Sequence, residues 1–228
     1  MVWDFFDGIY CINLYTRDDR LKKSKKVFNK LNIPVTYYRV EKHPTSGAKG
    51  CFESHMSIIK KAYHDGCKNV LIFEDDLIDN SFYDEALVEK AINFMKKSCK
   101  WDIFYFGHQP DIFWNTSRKV SDFIIKTHSY LTHAYVVSRR YMKKLLDKEY
   151  YGIPIDKMYL KNEHSYALYP MIFYQDESES DIETSSGTIN FRYSELYAYN
   201  VNYSIISLIL IILFILISIF ILNKSLKE

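Results

Sequence analysis

The sequence predicts an α/β domain, strands and helices alternating into a layered sandwich, followed by one C-terminal membrane-spanning helix. Three observations carry that prediction. Short apolar runs alternate with longer segments whose apolar residues recur at three- and four-residue spacing. One such run, Asn69-Val70-Leu71-Ile72-Phe73, passes directly into three carboxylates, Glu74-Asp75-Asp76. Finally, Ser204 to Leu222 contains nineteen residues without a charge. Residues 1–200 are therefore expected to form the globular domain, and residues 201–228 a membrane anchor with a short tail.

Taken in order, Ile9 to Leu14 reads as a first strand, with Arg17, Asp18, Asp19 and Arg20 in a polar turn behind it. Arg20 to Leu31 carries Leu21, Val27, Phe28 and Leu31 on one face and lysines elsewhere, an amphipathic helix stopped at Asn32-Ile33-Pro34. Val35 to Val40 is the next strand, completing a βαβ opening. Glu41 to Gly50 is expected to be a loop, and Cys51 to Asp65 a helix packing through Phe52, Met56, Ile59 and Ala62. After the acidic strand, Ser81 is a candidate cap for a helix running to Lys97. Trp101 to Phe106 is a strand and His108 to Lys119 a loop. Tyr130 to Ser138 is a strand followed by a basic helix through Lys148, and Tyr166 to Tyr174 is a late strand before the polar stretch Gln175 to Gly187.

Composition narrows the function classes. With 48% hydrophobic residues the chain has ample core, and a formal charge of +2 leaves no large basic surface for nucleic acid. Cys11, Cys51, Cys67 and Cys99 are scattered without a CxxC pair, which argues against a cysteine-clustered zinc site and for reduced thiols. Met1 to Asp7 holds Asp4 and Asp7 and lacks the pattern of a signal peptide.

The three carboxylates are the chemical centre of the sequence. They stand at the carboxyl end of a strand, where open α/β sheets bind ligands. Their mutual repulsion is offset well by a hard divalent cation with oxygen ligands. In extended chain Glu74 and Asp76 point one way and Asp75 the other, making Glu74-x-Asp76 a two-carboxylate grip for Mg²⁺ or Mn²⁺ carrying a diphosphate. The bland alternative is a solvated acidic turn. Arg17 and Arg20, at the start of a helix, suit phosphate, or simply a solvated helix start. Asn13 suits a nucleoside base or ribose, or the backbone of its own turn. Gly47 and Gly50 permit close approach of backbone to a ligand, with Ser54 and His55 in the helix that follows. His133, in mid-strand, reads as a core residue before a metal ligand.

With these segments in place, the chain resembles the family 25 glycosyltransferases, the group containing lipooligosaccharide and procollagen galactosyltransferases. The matching residues are Ile12-Asn13-Leu14 with Arg17 and Arg20, Gly47-x-x-Gly50-Cys51 with Ser54-His55, and Phe73-Glu74-Asp75-Asp76. Thr132 to Ser138, Pro154-Ile155-Asp156, and Gln175 with Ser180-Asp181-Ile182 follow in the family's order. The resemblance implies a GT-A-like, nucleotide-sugar-binding α/β/α sandwich with a mixed sheet. It further implies a UDP-sugar donor, commonly UDP-galactose, a Mn²⁺ (or Mg²⁺) cofactor, and inversion at the anomeric carbon. The acceptor would be a glycan or glycoprotein hydroxyl. Glu74-x-Asp76 stands where many GT-A enzymes carry Asp-x-Asp. Inverting transfer needs a base for the acceptor proton; Asp156 is the candidate, with Asp181 as an acceptor or metal contact. A non-catalytic carbohydrate- or partner-binding module on the same scaffold is the rival reading, and a metal-dependent phosphohydrolase a weaker third.

The apolar stretch just spans a hydrocarbon core at ~1.5 Å per residue, and Tyr197, Tyr199 and Tyr203 precede it as an interfacial belt. Lys224 and Lys227 favour a cytosolic tail. Post-translational insertion of so C-terminal a span instead leaves the enzyme domain cytosolic; that is the expectation adopted, with a luminal domain as the alternative. Asn115, Asn202 and Asn223 head sequons that carry meaning only in the luminal case.

Overall fold

A computed structural model describes residues 1–79, 83–98, 100–110, 118–176 and 208–219. The chain opens with a 3-10 turn, Val2–Phe5, that seats Trp3 in the core. A βαβ unit follows: β1 (Gly8–Leu14), α1 (Asp18–Lys30) and β2 (Thr36–Val40). Next come α2 (Gly47–His64), β3 (Asn69–Glu74), the short β4 (Leu77–Asp79) and α3 (Glu85–Lys97). The remainder is β5 (Ile103–Pro110), β6 (Arg118–Lys119), β7 (Ile124–Lys126), β8 (Ser129–Ser138), α4 (Arg139–Leu145), α5 (Ile155–Tyr159), β9 (Ser165–Leu168) and β10 (Phe173–Gln175).

Among the described residues, eight strands form one mixed sheet in the order β2-β1-β3-β8-β5-β9-β7-β6, and β4 pairs with β10 in a separate ribbon. β1 is parallel to both β2 and β3, whereas β8 runs antiparallel to β3 and β5. Helices cover both faces. Phe28 of α1 and Leu87, Val88, Ala91, Ile92 and Met95 of α3 pack with Leu71, Phe73, Phe104 and Phe106. On the other face, Phe52, Met56, Ile59 and Ala62 of α2 and Met142 and Leu145 of α4 pack with Val70, Ile72, Ile103 and Tyr105. β3 is thus buried on both sides, which is why Val70 to Phe73 is an unbroken apolar run rather than an alternating one.

The path from β1 through α1 to β2 lies to one side of β1, and the path through α2 to β3 lies to the other. The order reverses between β1 and β3, and open α/β sheets bind ligands in the crevice at the carboxyl ends of such a pair. Leu14 and Glu74 are those carboxyl ends.

Several boundaries differ from the sequence expectation, each for a local reason. α2 begins at Gly47 instead of Cys51, because Ser46 caps it with a side chain that accepts from Lys49 N at 3.2 Å. α3 begins at Glu85, capped by Asp84 accepting from Ala86 N, while Ser81 lies outside the described residues. The single late strand expected over 166–174 is two strands: Pro170, lacking an N–H, interrupts the ladder, and the chain resumes as β10 in the ribbon with β4. Arg118 and Lys119, expected in a loop, pair with β7. The basic helix ends at Leu145 rather than Lys148.

Residues 208–219 are helical with their large apolar side chains exposed. Among the described residues no helix is long and apolar enough to cross a membrane. The remainder of the expected span, 204–207 and 220–222, lies outside the described residues, as do Asp181 and Asn115.

Candidate functional site

The strand-order reversal opens into a cavity between the carboxyl ends of β1, β2 and β3 and the first turns of α2. Its lining includes Leu14, Val40, Arg20, Cys51, His55 and Gln175 together with all of Glu74, Asp75 and Asp76. The acidic run reaches it because β3 ends at Glu74 and the chain turns sharply at Asp75 and Asp76 before starting β4. That turn cancels the expected alternation. Asp75 and Asp76 do not diverge; both meet the same guanidinium, Arg20 Nη1 lying 3.3 Å from Asp75 Oδ1 and 3.2 Å from Asp76 Oδ2.

Each carboxylate has a different set of partners. Glu74 Oε1 accepts from Thr132 Oγ1 at 2.7 Å and lies 3.3 Å from His55 Nε2. Asp75 accepts from Asn13 Nδ2 as well as from Arg20. Asp76 Oδ2 accepts from Gln175 Nε2 at 3.1 Å, while its Oδ1 is buried with no hydrogen-bond partner. Asp75 and Asp76 thus share one guanidinium, while Glu74 beside them meets Thr132 and His55.

The titration of the three follows from this geometry. Burial, then the adjacent Glu74 charge, pushes the Asp76 carboxyl up to about 7 against the pull of Arg20 and Gln175. Asp75 is raised by burial more than Asn13 and Arg20 lower it. Burial also raises Glu74, but the neighbouring His55 and the Thr132 hydroxyl outweigh it and leave it lowered. The thiol of Cys51 is pushed well up by burial and by the negative charges of Glu74, Asp156 and Asp76.

These residues fit a divalent cation. The donors are hard carboxylate oxygens, one of them buried and unpartnered, and an acidic excess stands at the mouth of a crevice. Glu74 and Asp76 would hold such an ion, with His55 and Gln175 beside them.

The remaining predicted residues fall in two groups. Arg20, Gly50, Ser54 and His55 line the cavity with Glu74 and Asp76. Ser54 Oγ donates to the Gly50 carbonyl at 2.7 Å, one turn back along α2. Gly50 sits in the first turn of α2, where an added Cβ would meet His43 Cβ at 2.7 Å; its lack of a side chain lets the cavity wall at His43 close against the helix. Asn13 and Arg17 are outside that lining. Asn13 donates to Asp75 and to the Arg17 carbonyl, and Arg17 grips Asp19 through Nε and Nη2, both at 3.0 Å. Asp156 opens α5, accepting from Leu131 N at 3.4 Å and Lys157 N at 2.7 Å. Leu131 has a φ of 66°, and the residue after it is Thr132, which holds Glu74. His133 is buried, kept neutral by burial, and donates through Nε2 to the Phe173 carbonyl.

Four contributors escaped the site prediction from sequence. Gln175 arrives only because β10 pairs with β4, placing it opposite Leu77. Thr132 and Tyr135 arrive by antiparallel pairing of β8 with β3, Tyr135 opposite Ile72. Cys51 had a legible signal: it precedes His55 by four residues on one helix, so the two share a face.

The comparisons with known proteins bear on the same elements. Residues 36–159, more than half of the chain, match the profile of Glycosyltransferase family 25 (LPS biosynthesis protein). Procollagen galactosyltransferase 1-B of Xenopus laevis is 27% identical over 184 residues, covering 67% of this chain and 30% of the relative. A glycosyltransferase 25 family member of Drosophila melanogaster is 23% identical over 234 residues, covering 87% and 36%. Inactive glycosyltransferase 25 family member 3 of Mus musculus is 28% identical over 120 residues, covering 50% and 20%. This chain therefore spans about a third or less of the length of these relatives. The matched segment runs from β2 to α5 and includes the strand that delivers the carboxylates, its helix α2 and its partner β8. With that span of agreement, the chain belongs to glycosyltransferase family 25.

Proposed function

We propose that the chain is a glycosyltransferase that moves a hexose, galactose first among the candidates, from a UDP-sugar to a hydroxyl of a glycan or protein, with inversion. One observation carries the reading: Glu74, Asp75 and Asp76 line one cavity, two of them sharing Arg20 and Asp76 Oδ1 buried and unpartnered, at the strand-order reversal of a family 25 chain. The choice of galactose and of the acceptor class draws on the procollagen galactosyltransferase relatives and on the family description as an LPS biosynthesis protein.

In this reading Glu74 and Asp76 hold the divalent cation, Mn²⁺ or Mg²⁺, and Arg20 stays beside Asp75 and Asp76 as the fixed positive charge facing the diphosphate. The cation's contribution is to neutralise charge developing on the UDP leaving group. Thr132 orients Glu74, Gln175 orients Asp76, and Asn13 orients Asp75, so the grip is preorganised before the donor enters. Asp156 is the base that takes the acceptor proton, with Asp181 as a further acceptor contact; the field of Asp156 at Cys51 supports its nearness to the cavity. Membrane attachment through residues 204–222 belongs to the same proposal, supported by the exposed apolar surface of the helical part, 208–219.

The test is transfer itself. Full-length protein is incubated with UDP-galactose, UDP-glucose or UDP-N-acetylglucosamine, with Mn²⁺, and with collagen-type peptides or lipooligosaccharide cores as acceptors. Acceptor-dependent release of UDP that disappears in Asp76→Asn is the expected result. Release that is unchanged in a folded Asp76→Asn protein would remove the metal grip from the mechanism.

The kinship with an inactive family member favours a second reading, a non-catalytic glycan- or partner-binding module. Binding of UDP-sugar or glycan without turnover under every donor would select it.

A further inference from the structure

We propose that Cys51, His55 and Glu74 form a second metal site, one that takes a borderline transition-metal ion of the Zn²⁺ or Co²⁺ class. The sulfur, nitrogen and oxygen ligand atoms of the three lie within 4.8 Å of one another, and all three residues line the cavity. Two come from one helix face at a spacing of four, and the third from the end of β3, so the fold itself brings them together.

The donor set separates this site from the carboxylate grip. Oxygen ligands alone suit Mg²⁺, Ca²⁺ or Mn²⁺, whereas thiolate with imidazole and one carboxylate suits the later first-row metals. Three protein ligands with a fourth position open to a cavity is the arrangement of zinc sites that bind an exchangeable group.

The surroundings of His55 point to the same occupant. Its Nδ1 lies 2.9 Å from Tyr135 Oη, which in turn is 3.5 Å from Tyr159 Oη. A metal-bound imidazole uses its other nitrogen in this way, donating it to an outer partner that fixes the ring. The remaining nitrogen, Nε2, belongs to a residue 1% exposed, has no hydrogen-bond partner, and lies 3.3 Å from Glu74 Oε1. A cation between that ring nitrogen and the carboxylate oxygen would be held by both. Thr132 holds the same Glu74 oxygen from outside, as Tyr135 holds His55. The site stands whether or not the cavity transfers a sugar. Because Glu74 belongs to both metal sites, a Zn²⁺-class ion here competes with a hard cation held by Glu74 and Asp76.

The experiment is a Co²⁺ titration of the full-length chain in detergent micelles, followed by absorption. One equivalent is expected to produce a thiolate-to-metal charge-transfer band in the near ultraviolet together with tetrahedral ligand-field bands. Cys51→Ser should abolish the charge-transfer band, and His55→Gln, which removes a ligand rather than an outer partner, should weaken Co²⁺ binding roughly a hundredfold or more. Asp76→Asn, which removes only the hard-cation grip, should leave both bands in place. A folded wild-type chain without the sulfur band, a band that survives Cys51→Ser, or its loss in folded Asp76→Asn would each overturn the proposal. X-ray absorption of the wild-type Zn²⁺ complex needs no variant: a sulfur neighbour at about 2.3 Å is expected, and a shell of nitrogen and oxygen alone would refute the site.

Discussion

Two acidic regions of this molecule are both buried and differ in what surrounds them. Asp102, at the start of β5, is 1% exposed, and Arg140 meets it at 2.8 Å, Lys144 at 3.3 Å and Asn162 at 3.3 Å. One carboxylate there faces two cations, and it ties α4 to the segment leading into β9. The acidic run inverts that ratio, Asp75 and Asp76 sharing Arg20 with Glu74 beside them, and it does so at the wall of a cavity. A balanced buried charge is a structural tie, whereas an unbalanced one at an opening is a place for an incoming cation. The lesson is to weigh charge against its partners and its access, not to count acidic residues.

The sharpest way to break the comparison is to neutralise one carboxylate in each region. Asp76→Asn is expected to weaken Mn²⁺-dependent UDP-sugar binding by roughly a hundredfold or more, since it removes a ligand rather than an outer partner; calorimetric titration reads it. Asp102→Asn is expected to leave that affinity unchanged per folded molecule.

Next in size is a pH effect. Folded Asp76 keeps its proton up to about pH 7, whereas in the unfolded chain it is released near 3.8. The stability this carboxyl contributes is therefore full below about pH 4 and is lost as pH rises through 7. Without metal, Asp76→Asn should gain on the wild type across that window by at most about 1.4 kcal/mol per pH unit. Urea melts from pH 4 to 8 measure the difference, and a flat difference would contradict the burial-driven shift.

Asp102→Asn should cost about 2–3 kcal/mol, because Arg140 and Lys144 lose their buried partner. Thermal melts at constant pH check it. Smallest is Gly50→Ala, expected to cost about 1–2 kcal/mol, typical of a residue forced into an already filled site. The new methyl would push on His43, so the donor affinity should fall alongside stability, which separates it from Asp102→Asn.

How much of this was legible beforehand divides along sequence distance. The βαβ opening, the buried strand Asn69–Glu74 and the helix faces of α1, α2 and α3 were readable, because period and punctuation are local properties. The acidic run was legible as a centre, but not the turn after Glu74 that brings Asp75 and Asp76 to the same guanidinium, since strand ends depend on pairing. Gln175 stands 99 residues from Asp76 and joins it only through the ribbon of β4 and β10, a long-range pairing that local patterns do not encode. Arg17 and Arg20 were equal by spacing, yet a helix turn apart they part company: Arg20 turns inward to the carboxylates, and Arg17 outward to Asp19.

The most direct measurement is a thermal shift of the full-length chain with UDP-galactose, with and without Mn²⁺, on wild type, Asp76→Asn and Asp102→Asn. A ligand that binds only the folded state raises the melting temperature by an amount that grows with the logarithm of its concentration over Kd. The account predicts a Mn²⁺-dependent rise in the wild type, an undiminished rise in Asp102→Asn from its lower starting point, and none in Asp76→Asn. An equal rise in Asp76→Asn would contradict it, for the unbalanced carboxylates would then have no part in holding the cation.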